Sequence, residues 1–70
     1  MIETYIPRST NIAKVDYDSD AQVMTITFQS GGAWKYTGVP VGVFQGIQGA
    51  SSAGSYFHRN IKNRYAETEV

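Results

Sequence analysis

The densest run of residues able to do chemistry lies at positions 51–65, SSAGSYFHRNIKNRY, where serines and a glycine precede a cluster of positive charge. Read at the helical period, His58, Arg59 and Lys62 share one face, while Phe57, Ile61 and Tyr65 share another. Ser51, Ser52 or Ser55 is placed to cap the start of such a helix, because a serine oxygen accepts a hydrogen bond from a free first-turn amide. A helix start carries partial positive charge and unpaired N–H donors, and Gly54 lets a ligand come close to the backbone. The chemistry this predicts is phosphate binding. Ser51, Ser52 and Gly54 stand in front, His58, Arg59, Lys62 and Arg64 behind, with Tyr56 as an aromatic wall and Lys35 as a further cation. An ordinary amphipathic helix with a solvated basic face is the plainer reading of the same residues.

Catalysis finds little support. The chain has a single histidine, His58, and no cysteine, and its acids lie far from His58 in sequence. No nucleophile–base–orienter arrangement or phosphate-cradling Walker loop is visible, so no catalytic residue is assigned. Disulfides and thiolate metal sites are excluded, one histidine is too few for a metal site, and no cofactor is expected. The acids of the Asp18-Ser19-Asp20 segment suit a turn, since a calcium loop would need more oxygen ligands, a glycine and a distal glutamate.

The 70 residues carry no net charge, which argues against coating nucleic acid by bulk electrostatics. The distribution is more informative than the sum. Glu3, Asp16, Asp18, Asp20, Glu67 and Glu69 all lie towards the ends, whereas residues 21–66 hold Lys35, Arg59, Lys62 and Arg64 and no acid. No apolar run approaches the ~20 residues that span a bilayer. The first ten residues, MIETYIPRST, show neither a basic leader with an apolar core nor a cleavage site, so a cytoplasmic protein is expected.

The elements that must position these residues are readable from alternation. Met24, Ile26 and Phe28 alternate with Val23, Thr25 and Thr27, and Val15 and Tyr17 with Lys14 and Asp16, although Ile12 is out of phase. Ser30-Gly31-Gly32 reads as a tight turn leading to a returning strand, with Trp34 and Tyr36 on one side and Lys35 and Thr37 on the other. The two aromatics are expected to close the core beside Phe28, with stacking on bases as the alternative use. Pro40 then opens an uncharged helix with an apolar stripe of Val43, Phe44, Ile47 and Ala50. Gly42, Gly46 and Gly49 form a second, smooth stripe; each interior glycine costs about 0.5–1 kcal/mol relative to alanine, so close packing must compensate. Together with Gln45 they are assigned to a homodimer interface, a weak helix or two short turns being the alternative.

The expected fold is therefore α+β in one domain, residues 1–70. A three-stranded antiparallel sheet (about 11–18, 22–29 and 33–38) precedes two short helices (about 40–50 and 52–63) packed on one face. Tyr5 and Ile6 before Pro7 suit an extended lead-in, and residues 66–70 a mobile tail.

Four stretches in this order resemble the KTSC domain, a family named for its occurrence at the C-terminus of some lysyl-tRNA synthetases and also found as stand-alone bacterial or phage proteins. They are Ser9-Thr10-Asn11-Ile12 leading to Val15-Asp16-Tyr17-Asp18; Ile26-Thr27-Phe28 to Gly32; Trp34-Lys35-Tyr36 before Gly38-Val39-Pro40; and Ser51 through Asn60-Ile61 to Tyr65. The resemblance implies three strands with helices after them and a suspected RNA-binding role, and it supplies no catalytic residues. The family tends to place charged residues on the helix after the proline, where this chain has Gly42, Gln45, Gly46, Gln48 and Gly49. That departure turns the reading towards self-association or a different ligand.

The function expected is non-catalytic recognition of a small phosphate-bearing nucleotide, in a pocket that a second copy helps to complete. A chain of this size suits holding a signalling nucleotide away from other proteins, as a phage would do to a host signal. RNA binding through the four central cations and the aromatics is the alternative, and a protein-interaction module the second alternative.

Overall fold

The computed structural model describes all 70 residues. The order is β1 (Ile2–Tyr5), β2 (Ile12–Asp18), β3 (Val23–Phe28), β4 (Ala33–Thr37), α1 (Val41–Gly49), α2 (Ala53–Asn60) and β5 (Ala66–Glu69). All pairings are antiparallel, and the sheet runs β1-β2-β3-β4-β5. The fold is α+β with both helices on one face of the sheet, but the sheet has five strands where three were expected.

The three central strands follow from side-chain alternation. Val15, Tyr17, Met24, Ile26 and Tyr36 are buried towards the helices, and Asp16, Thr25 and Lys35 occupy the opposite face in one cross-strand row. Ile12 joins the buried set despite its phase because the register shifts between Ile12 and Lys14, a bulge that rotates the strand by one residue. The Asp18 side chain accepts hydrogen bonds from the Asp20 and Ala21 amides at 3.0 and 3.3 Å, so this acid serves the turn. Gly31 closes the next turn at φ +106°, and its amide donates to the Phe28 carbonyl at 2.9 Å.

Two strands lack an alternating apolar signature. β1 and β5 are exposed along their length except at Tyr5, and each is held by backbone pairing to one neighbour. The expected mobile tail is thus largely a strand: residues 66–69 pair with β4 in the register Trp34↔Glu69 and Tyr36↔Glu67. Short, charge-bearing edge strands of this kind discourage pairing with another chain.

The helices close the core from one side. Phe44 of α1 stacks on Tyr17 with ring centroids 5.0 Å apart, and the Tyr17 hydroxyl donates to the Val39 carbonyl at 2.6 Å. Phe57 of α2 meets Phe28 and Tyr36 edge to face at 5.5 and 5.7 Å. α2 is shorter than the expected 52–63. It ends at Asn60, and Asn63 adopts a left-handed φ of 63°, which turns the chain back towards the edge of β4. No helix is long and apolar enough to cross a membrane.

The glycine stripe of α1 does not act as a unit. A Cβ at Gly46 would overlap the Tyr56 hydroxyl and lie 2.5 Å from its ring carbon Cζ, whereas a Cβ at Gly42 or Gly49 meets nothing within 4 Å. The close approach at Gly46 is therefore made by α2 of the same chain.

Candidate functional site

α2 separates two grooves, and the residues of the basic segment divide between them. The smaller groove, about 250 Å³, gathers Ser51, Ser52, Tyr56 and Arg59, with Ser55 and Asn60. Of the three serines named as candidate caps, Ser52 takes the role: its hydroxyl accepts from the Ser55 amide at 3.2 Å. Tyr56 serves both as a wall here and as the side chain lying over Gly46.

The larger groove, about 470 Å³, brings His58 and Lys62 to the edge of the sheet. Four aromatic rings line it. Tyr36 and Phe57 are buried, and Phe28 and Trp34 are half-buried, so the latter two keep part of their surface open to the groove. Asn11 and Glu67 add an amide and a carboxylate. Glu67 pairs with Tyr36 in register and joins the groove only because residues 66–69 form a strand.

Other assigned residues lie elsewhere. Lys35 is on the opposite face of the sheet, beside Asp16 and Asp18, and shares no groove with Arg59 or Lys62. Its alternation with Trp34 and Tyr36 already separated it from the core face. Arg64 donates from Nε to the Arg59 carbonyl at 3.0 Å, placing its charge on the carbonyl end of α2, where the helix dipole favours a cation. A Cβ at Gly54 would meet Asn11 at 3.8 Å, so Gly54 faces that side chain and lines neither groove. Gly42, Gln45 and Gly49 lie on α1, outside both grooves.

The groove's electrostatics are legible in Tyr36. Burial first, then the negative charge of the neighbouring Glu67, pushes the Tyr36 phenol up to about 12 from an ordinary 10.0. Folding therefore favours the neutral phenol. Its contribution to stability is complete below pH ~10 and is lost as pH rises through about 12, because only the unfolded chain readily releases that proton. Tyrosinate absorbance followed against pH should show the Tyr36 and Tyr17 phenols ionising later than the other three, and Glu67→Gln should bring the Tyr36 step earlier without abolishing the burial effect.

Comparison with known proteins agrees with this architecture. The sequence pattern of the KTSC domain matches residues 8–65. Over 59 residues the chain is 36% identical to a lysine–tRNA ligase of Trichormus variabilis, covering 84% of this chain and 10% of the ligase. The chain thus spans about a tenth of the length of that relative. An uncharacterized protein of Stutzerimonas stutzeri is 29% identical over 58 residues, covering 83% of this chain and 82% of that protein. The crystal structure of a KTSC domain protein from Yersinia pestis superposes with a TM-score of 0.93 at 27% identity, covering 100% of this chain and 99% of that one. With a sequence match running from before β2 to beyond α2 and a solved relative that shares the whole fold, this chain belongs to the KTSC domain family.

Proposed function

We propose that this domain is a non-catalytic binder of a phosphate-bearing nucleotide, taken up in the groove between α2 and the β3–β4–β5 end of the sheet. The observation that carries the reading is the meeting of exposed ring surface from Phe28 and Trp34 with two side chains able to carry positive charge, His58 and Lys62, in one groove of about 470 Å³. Such a volume falls within the range of small-ligand sites. A base can stack on the rings while its phosphate meets Lys62 and, when protonated, His58. Arg59 and the serines of the smaller groove are available to a ligand that extends around α2. In the cell, a protein of this kind would hold a signalling nucleotide away from its receptors.

Self-association belongs to the same proposal. α1 has no charged residue, Val41 is exposed, and the open surfaces at Gly42 and Gly49 leave room for a second copy. Native mass spectrometry of protein purified from cells reads both points: a dimer mass with a co-purified phosphate compound is expected. Binding itself is tested with the Arg59→Ala/Lys62→Ala double variant, which should weaken uptake of nucleoside 5′-monophosphates at least about tenfold. Unchanged affinity in a folded double variant would sink the phosphate reading.

Similarity to a lysine–tRNA ligase supports a second reading, RNA. A short single-stranded RNA that binds far more tightly than any mononucleotide, with affinity falling steeply as salt rises, would favour it.

A further inference from the structure

The larger groove contains an acid that phosphate binding does not use. Glu67 lines it beside Lys62, His58 and Asn11, yet it takes part in none of the ion pairs of the chain, which join the N-terminus to Asp18 and Asp20, and Lys14 to Asp16. A carboxylate near the phosphate of a ligand would repel it. In a groove that also takes a base, its useful position is at the base edge.

From this arrangement we infer that the groove selects guanine, with Glu67 as the residue that reads the base; the inference rests on the nucleotide reading above. A carboxylate offers two parallel acceptors and no donor. Guanine presents two neighbouring donors, N1–H and the 2-amino group, beside its O6 acceptor. Adenine and cytosine each put an acceptor next to their amino donor, and uracil flanks its single N–H with two carbonyls. Both Glu67 oxygens can therefore be satisfied only by guanine, and every other base sets an acceptor against the carboxylate. The O6 atom needs a donor, and the Asn11 amide lies in the same groove. Tyr36 stands opposite Glu67 in the strand pair, which fixes where the carboxylate enters the groove. Sites built on such hydrogen bonds reject ligands that lack the matching group far more strongly than apolar pockets reject a missing methylene.

Trp34 is the only tryptophan in the chain and lines the groove, so its fluorescence reports occupancy. The test titrates the protein with the 5′-monophosphates of guanosine, inosine, adenosine, cytidine and uridine. The guanosine compound should bind about ten- to a hundredfold more tightly than the adenosine, cytidine or uridine compounds, with inosine, which lacks the 2-amino group, in between. Glu67→Gln should remove most of the preference, weakening the guanosine compound and relieving the repulsion of the others, and Glu69→Gln, on the same strand but outside the groove, should keep it. Equal affinity for all five would overturn guanine selection while upholding nucleotide binding. A preference that survives in Glu67→Gln would overturn the role of Glu67. Absence of binding by all five defeats both the inference and the reading beneath it. The inosine comparison uses the unaltered protein, so the inference stays exposed to disproof even if the Glu67 variant folds poorly.

Discussion

Replacing Phe57 by alanine is expected to cost about 3–5 kcal/mol of stability. Phe57 is 3% exposed, and its ring touches Phe28 and Tyr36 edge to face. Truncation removes the transfer energy of the ring and opens a cavity between α2 and two strands, which a small core has few side chains to refill. A 70-residue domain has on the order of 4–10 kcal/mol in total, so the variant should be largely unfolded at modest denaturant. Phe57→Leu keeps most of the volume and should lose less than half as much. Urea unfolding monitored by Trp34 fluorescence measures both. A loss below about 1 kcal/mol in the alanine variant would mean that α2 is not anchored through this ring.

The second large effect is expected at Gly46. Valine there should destabilise by about 1–3 kcal/mol, because its branched side chain occupies the space of the Tyr56 ring and the two helices must separate or the ring must leave. The informative comparison is with Tyr56→Ala. In that background the obstruction is gone, and Gly46→Ala should stabilise by about 0.5–1 kcal/mol through helix propensity alone. The same Gly46→Ala change in the unaltered chain must push the Tyr56 ring aside, and the expected net result is a loss. A double-mutant cycle reads the coupling directly. Additive effects would show that Tyr56 does not pack on Gly46, and would leave the glycine to another partner.

What was legible in the sequence follows from which interactions are local. The β3 alternation and the Ser30-Gly31-Gly32 turn are short-range signals, and both were readable. Ile12 looked out of place because a bulge is one unpaired residue that no periodicity announces. β1 and β5 were missed as strands because their stability comes from backbone pairing to β2 and β4; the sequences Ile-Glu-Thr-Tyr and Ala-Glu-Thr-Glu give no strong buried face. The glycine spacing on α1 correctly signalled close packing at Gly46, but spacing cannot say whether the neighbour is another molecule or the next helix.

The candidate site divides along the same line. The basic face of α2 and the serine cap were visible, since both are local. The split of Arg59 from Lys62 into different grooves depends on where the sheet lies, and the entry of Glu67 depends on a strand pairing across both helices. Trp34 and Tyr36 were expected to complete the core, and Tyr36 does; Trp34 is half-buried and shares its surface with the groove.

The return of β5 to β4 also fixes the order in which the groove is built. Tyr36 and Glu67 are joined by a long loop that contains α1 and α2, so their pairing pays its closure entropy only when the helices are already compact. An exposed edge strand held by one neighbour sits at the low end of local opening free energies. The aromatic floor can therefore persist through fluctuations that remove its acidic wall, so that on the nucleotide reading proposed above the holding of a ring would outlast discrimination among rings.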